Sequence, residues 1–399
     1  MTINNRLIQS VFYGNPDHYP AIINGARLLA QAGYELDIFC RSDGKEWDVS
    51  YPSVVRIHRI KTETGSAWVE YSSFVGQVLR RASREAALFI GHDMHGFLPA
   101  KMLSRLRRRP LIYHCYDYAD NKRKLPKGSD LVRRFQRRFA RASDLLTVPE
   151  SGLGEILERE LRLRQKPLVI ANAPLARAQE ASTKGKLQEA LAERERKFEK
   201  IIFRQGRVGR GHAIEVTLRS IPHWSSSNWG FVLMGLSEPE YVEHLMQLAR
   251  TLRVERQFVV LPAVNYDEVS RYTQDADVGH ALYEPIHINN LHISGSCKIQ
   301  EYMASGLPLL VSSQPSLSAF VERYGCGISV DETSPESIAE GLNRLMTNQE
   351  RARQMGCAAM RAFEEELCFE RQFVPALEAI ERLTKPAVDN LKSLTQEIL

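Results

Sequence analysis

Short apolar runs of strand length are followed, again and again, by amphipathic runs of helix length, and this alternation leaves few folds open. Residues 7–13 read as a strand, Gly14 to Pro20 as a loop, residues 21–32 as a helix stopped by Gly33, and residues 35–40 as a second strand. A strand, a helix and a second strand in that order cross over right-handed, so the strands are parallel. Further strands are expected at 54–60, 88–90, 111–115, 145–148 and 167–171, with helices at 69–86, 97–107 and 130–142. Residues 172–200 break the pattern. Asn172-Ala173-Pro174 leads into a charged segment ending LQEALAERERKFEK, read as a linker plus a solvent-facing helix. The alternation then resumes, with strands at 201–203, 230–234, 257–261, 278–282, 307–311 and 328–330. The reading is an α/β chain of two Rossmann-like, doubly wound domains, residues 1–178 and 179–369, facing a central cleft at the carboxyl ends of their strands. Residues 370–399 follow the second sheet as a helical tail.

A chain of 399 residues is comfortable for two cores. No apolar run approaches the roughly 20 residues of a membrane span, and the amino terminus lacks the layout of a signal peptide. Six cysteines, at 40, 115, 297, 326, 357 and 368, show no metal-ligand spacing. They read as reduced thiols, and the protein as cytoplasmic. The net charge of +5 is unevenly placed: from Lys101 to Arg141 fourteen Lys or Arg stand against three Asp. Within that segment DLVRRFQRRFARA puts Leu131, Phe135, Phe139 and Ala142 on one stripe, with Arg133, Arg134, Arg137 and Arg138 around the rest. It is either a helix packed on its own sheet with a solvated basic face or an attraction for a diphosphate-linked acceptor or for anionic lipid headgroups, the last of which would make the protein peripheral on the inner face of the membrane. No nucleic-acid motif accompanies it, and nucleic acid is not expected as a partner.

Ser294 to Val311, SGSCKIQEYMASGLPLLV, concentrates the chemistry. Cys297 to Ala304 has helical spacing, Ser305-Gly306 stops the helix, and residues 307–311 form a buried strand. Ser294-Gly295-Ser296 can cap the helix, leaving first-turn amides and the positive dipole end beside Lys298. Such an end is an anion site, and Glu301, three residues on and on the same face, can accept hydrogen bonds from a diol. An ordinary surface ion pair would have the same spacing.

The string from Lys298 to Pro308, K-x-x-E-Y-M-A-x-G-L-P, resembles the donor-site signature of GT-B glycosyltransferases, closest to their family four (glycosyl transferases group 1). The resemblance implies that Lys298 contacts the diphosphate of a nucleotide-sugar donor and that Glu301 binds its ribose. It also implies a phosphate role for Gly206 and Arg210, which match the family's glycine and basic-Gly pair, with Arg207 beside them and Gly235 at the next strand end. The family's E-x7-E is incomplete here: Ile293 stands where the first Glu belongs, and Glu284 is displaced. Gly91-His92-Asp93 and Tyr113 to Asp117 resemble first-domain segments of the family, with Tyr116 where a His is usual.

An inverting reaction would need a general base from the first domain, and His18, Asp93 and Asp117 are the candidates. Gly14, Asp17 and His92 complete the expected acceptor-side loops. Each has a turn or capping role as its plain alternative. No metal-binding DxD signature is identified, and neither metal nor cofactor is expected. The activity implied is transfer of a sugar from a UDP- or GDP-sugar to a saccharide or lipid-linked saccharide, in cell-surface polysaccharide or glycolipid synthesis. The rival is a non-catalytic subunit of the same fold that binds a saccharide or a partner protein.

Overall fold

The computed structural model describes residues 6–44, 47–62, 65–118, 129–176, 185–286 and 288–385. Two compact units emerge, one holding the residues up to Ile170 and those from Gln372 on, the other Ala171 to Arg371. The first is built on seven parallel strands: β1 Leu7–Phe12, β2 Glu35–Arg41, β3 Val55–Ile60, β4 Leu88–His92, β5 Leu111–His114, β6 Leu145–Val148 and β7 Leu168–Val169. Their order is β3-β2-β1-β4-β5-β6-β7. The second has six: β8 Lys200–Gln205, β9 Trp229–Met234, β10 Phe258–Leu261, β11 Val278–Ala281, β12 Leu309–Ser312 and β13 Gly327–Val330, in the order β10-β9-β8-β11-β12-β13. All pairings are parallel, for example Phe12↔Cys40, Phe12↔His92 and Gln205↔Met234. Both units therefore have the doubly wound order, with the winding reversing beside β1 and beside β8. Ligand crevices in such sheets lie beyond the carboxyl ends of the strands at that reversal.

The strands read as continuous apolar runs because both sheet faces are covered by helices. Every residue of β9 and β12 is buried. Phe39, Phe74, Phe89 and Phe97 fill the first core; Phe231, Phe258, Leu218 and Leu245 fill the second. Each such side chain contributes about 1.5–3 kcal/mol on burial.

Glycines decide how closely the elements approach. A Cβ on Gly96 would stand 2.2 Å from the Val11 carbonyl oxygen, so the helix Asp93–Arg107 lies directly on β1. A Cβ on Gly279 would stand 2.4 Å from the Tyr302 ring, which brings the helix Cys297–Ala304 down onto β11.

Three sequence expectations change. The first unit ends at Ile170 and not at 178, because the next residues bond into the second unit: Asn172 N–H to the Gly295 carbonyl at 2.9 Å, Ala176 N–H to the Glu370 carboxylate at 3.0 Å. The helix in the charged segment, Lys186–Ala192, is not simply solvent-facing, since Leu187 and Leu191 are fully buried. The basic helix, Ser129–Phe139, packs Phe135 and Phe139 against the core as expected, but it also turns Val132 and Gln136 inward and leaves Leu131 exposed. Gln136 can be buried because its amide donates to the Tyr113 hydroxyl at 2.5 Å.

The helix Phe369–Thr384 buries Phe373, Ala376 and Ile380, and the Thr384 and Tyr34 hydroxyls share a hydrogen bond of 3.1 Å in the first unit. Residues 386–399 of the expected tail lie outside the described residues.

Candidate functional site

In the second unit the reversal point is flanked by the loops after β8 and β11. β8 ends at Gln205, and Gly206 and Gly211 both take positive φ, +92° and +84°. Gly235, after β9, is packed so tightly that a Cβ would overlap the Gly206 carbonyl oxygen, 1.7 Å away. Lys298 reaches this spot: a Cβ on Gly206 would be 3.7 Å from its Nζ. The ammonium also lies 5.2 Å from the centre of the Tyr283 ring, and no carboxylate pairs with it among the described residues. Lys298 stands in the first turn of the helix Cys297–Ala304, whose capping residue Ser296 makes no side-chain hydrogen bond to that turn. A glycine turn, uncapped helix amides and an unpaired lysine thus meet, which is the chemistry of an anion site.

Glu301 is not a surface ion-pair partner. It is buried, and its Oε1 accepts from the Cys297 thiol at 3.0 Å. Burial pushes its carboxyl up to about 7, against the pull of the Cys297 hydrogen bond and the Lys298 charge. Burial acts oppositely on His212, which it holds well below its usual value, helped by the charges of Arg204 and Lys298. His212 is therefore neutral, edge-on to Tyr283 at 5.7 Å.

The expected phosphate arginines lie on exposed side chains beside carboxylates. Arg207 pairs with Glu238 at 3.1 Å on the open surface. Arg210 lies over the Tyr241 ring at 5.3 Å and 3.9 Å from Glu215, with its side chain three-quarters exposed. In this structure their contacts are those acids, because exposed guanidinium groups settle on the nearest carboxylates. Glu284 holds the loop after β8 in place: its carboxylate accepts the Ala213 N–H at 3.3 Å, and its own N–H donates to the Gly211 carbonyl at 3.0 Å. One Asp-x-Asp triplet does exist, Asp275-Ala276-Asp277, contrary to expectation. Asp275 accepts the Gly185 and Leu187 N–H groups, and Asp277 pairs with Lys200 at 3.0 Å. It precedes β11, at the opposite end of the strands from Gly206.

In the first unit the corresponding loops follow β1 and β4. Asp17 does not face an open site. Its side chain is enclosed, pairs with Arg59 at 2.8 Å and accepts from Tyr51 at 3.3 Å. His18 packs edge-on to Trp47 at 5.1 Å. Gly14 is needed for packing, since a Cβ there would stand 2.7 Å from the Phe12 ring. His92 is buried between Ser10 Oγ at 2.7 Å and the Tyr116 hydroxyl at 3.1 Å, and it stacks with His114 and Tyr116. Burial, with His114 beside it, keeps His92 neutral. Asp93, a candidate base, also latches the loop after β5. From a left-handed backbone (φ 51°), its Oδ1 accepts the N–H groups of Tyr116 and Asp117 at 2.8 and 3.1 Å. Asp117 itself is exposed.

The four arginines of the basic helix do not act as one open patch. Arg133 pairs with Asp130 at 2.6 Å and Arg137 with Glu160 at 3.4 Å, leaving Arg134 and Arg138 on the exposed side. No helix among the described residues is long and apolar enough to cross a membrane.

Sequence reasoning passed over Arg204, His280, Tyr283 and Cys297. The first two had a signal: Arg204 in KIIFRQ and His280 in VGHA are polar intrusions into strands that read as wholly buried. Tyr283 and Cys297 had none, because aromatic and thiol side chains are ordinary core residues.

Two Rossmann-like parallel sheets, each in doubly wound order, have the architecture of GT-B proteins. The family model described as Glycosyl transferases group 1 matches residues 188–361, and that of the Glycosyl transferase 4-like domain matches residues 24–173. The two models fall on successive parts of the chain, one on each sheet, and together support a group 1 GT-B glycosyltransferase. A curated relative, the uncharacterised glycosyltransferase MJ1607 of Methanocaldococcus jannaschii, is 31% identical over 153 residues, 38% of this chain and 36% of its own length, so the match spans about a third of that protein. Among solved structures, Anabaena HepE in complex with UDP and glucose aligns with a TM-score of 0.72 at 13% identity, over 94% of this chain and 100% of that one. WaaG, a glycosyltransferase involved in lipopolysaccharide biosynthesis, aligns at 0.67 with 13% identity, over 93% and 98%. Sucrose-phosphate synthase from Thermosynechococcus elongatus aligns at 0.68 with 14% identity, over 95% and 99%. At these identities the structural matches speak to the fold.

Proposed function

We propose that the protein transfers a sugar from a nucleoside-diphosphate donor to a saccharide or lipid-linked saccharide, in the synthesis of a cell-surface polysaccharide or glycolipid. The observation that carries the reading is the unpaired Lys298 ammonium against Gly206, one turn from the buried Glu301. In the reaction an acceptor oxygen bonds to the anomeric carbon as the bond from that carbon to the diphosphate breaks. The leaving diphosphate gains negative charge, which Lys298 and the helix amides stabilise. Glu301 receives the ribose hydroxyls. Protein cations do this work in the proposal, so no metal is called for.

The complex of HepE with UDP and glucose makes UDP the first donor nucleotide to test, ahead of GDP. The role of WaaG in lipopolysaccharide synthesis favours a cell-surface acceptor. The first unit is assigned the acceptor, with His18, Asp93 and Asp117 as the candidates for a base. The test is thermal shift with UDP, GDP, ADP and CMP on the wild type and on Lys298→Ala and Glu301→Ala. A ligand at a hundred times its Kd adds about 2.7 kcal/mol, and a rise with one nucleotide that both variants lose is the expected result. No rise with any of them refutes the donor site. Slow hydrolysis of the matching nucleotide sugar then separates an enzyme from a non-catalytic subunit.

A further inference from the structure

Arg204 lies on β8, two residues before Gly206, and has no exposed surface. Its Nη1 donates to His280 Nδ1 at 3.1 Å and to the carbonyls of Leu282 and His280 at 3.2 and 3.4 Å. Nε and Nη2 have no partner, and no carboxylate reaches the group among the described residues. His280 does not supply the missing negative charge. Because its Nδ1 accepts from Arg204, its proton resides on Nε2, 2.9 Å from Thr217 Oγ1, and Thr217 gives its own proton to the Ala213 carbonyl at 2.8 Å. No carboxylate is among these partners; the acidic group beside the guanidinium is the Tyr283 hydroxyl, which, against the effect of burial, the charges of Lys298 and Arg204 draw below its ordinary value.

A second cation lies against the same ring. The Arg204 Cζ and the Lys298 Nζ lie 5.3 and 5.2 Å from the centre of one ring, that of Tyr283. The Tyr283 hydroxyl is 3.3 Å from Ser296 Oγ, at the start of the lysine's helix. The ring is fixed from behind, since the Tyr283 N–H and carbonyl both bond Ser312 Oγ, at 2.7 and 3.0 Å. A buried charge without a counter-ion opposes folding, and an apolar side chain of similar shape would pack as well. Two cations on one ring make physical sense when the counter-ion arrives with a ligand.

We propose that Arg204 is a positioning residue for the donor's anionic part: a charge stored beneath Tyr283 that, together with Lys298, selects a diphosphate over a monophosphate. The inference rests on the donor-site reading given above. Arg204 is enclosed and acts through its field, which is weakly screened in a dry interior, and through the ring it holds.

The test uses the full chain as wild type, Arg204→Met, Arg204→Gln and Arg204→Lys. Melting without ligand is measured beside calorimetric titration with UDP, UMP, inorganic pyrophosphate and inorganic phosphate. Arg204→Met is expected to melt at or above the wild-type temperature, yet to bind UDP and pyrophosphate at least tenfold more weakly. Its preference for UDP over UMP shrinks, while Arg204→Lys retains it. An unchanged preference in a folded variant lacking the charge overturns the proposal. So does an Arg204→Met chain that melts lower or does not fold, since the charge is then structural. A wild type that prefers pyrophosphate to phosphate but binds no nucleotide more tightly refutes the nucleotide reading. In that case the pyrophosphate preference of the variants still decides the role of Arg204.

Discussion

Burial pushes the Glu301 carboxyl up to about 7, and two consequences of opposite sign follow. The folded value lies above the ordinary 4.5 of an open chain, so the unfolded state loses its proton first as pH rises. The contribution of this residue to stability is full below about 4.5 and is lost as pH climbs through about 7. Glu301→Gln should abolish that decline, a difference on the order of 3 kcal/mol at most, read from melting curves between pH 4.5 and 8. Binding runs the other way. A ribose diol donates to a carboxylate, so wild-type affinity for the matching nucleotide should fall about tenfold from pH 8 to pH 6. Glu301→Gln should bind weakly with a flatter profile, and an equally steep one would remove the ribose from this residue. Nothing in the spacing of Lys298 and Glu301 foretold the burial; three residues apart on a helix describes a surface ion pair equally well.

At the scale of the element, the site depends on how closely backbones approach. Gly235 lets the turn after β9 touch the Gly206 carbonyl, and Gly279 lets β11 lie against Tyr302. The Tyr302 hydroxyl accepts the Gln205 N–H at 3.1 Å, so strand, helix and glycine turn are tied together. Gly235→Ala should cost about 2–4 kcal/mol and shift the Gly206 turn away from Lys298, as its φ of +156° and the 1.7 Å overlap both oppose a side chain. Melting temperature and nucleotide affinity should fall together; loss of stability with affinity intact would show that the turn does not shape the anion site. The helix containing Lys298 was legible because its end signals are local: Ser305-Gly306 stops it, with Gly306 at φ +68°. The basic helix packs Phe135 and Phe139 on the core as its stripe implied, but its inward polar residue, Gln136, was not legible because its partner is on β5, far away in sequence.

For the whole molecule, the open question is what the basic segment meets. Two of its four helical arginines are held by Asp130 and Glu160, which halves the charge that the sequence offers. Flotation with vesicles containing anionic lipid should still capture the protein at low salt, through Arg134, Arg138 and the exposed Leu131, and release it as salt rises past about 0.3 M. Capture by neutral vesicles at high salt would exclude an electrostatic attachment. Arg134→Ala with Arg138→Ala should lower binding more than Arg133→Ala with Arg137→Ala.

The sequence by itself determined the two parallel sheets, the interruption between them and the Lys298 helix, because periodicity, glycine stops and apolar runs act over a few residues. Only the tertiary structure decided which polar groups carry partners. Asp17 was enclosed by Arg59, Asp93 was turned toward the backbone of residues 116 and 117, and Glu284 was fixed on Ala213. By the same route Arg204 was left buried and uncompensated beneath Tyr283. Ion pairing and desolvation depend on distances between residues some twenty to a hundred positions apart, and those distances exist only once the sheets have formed.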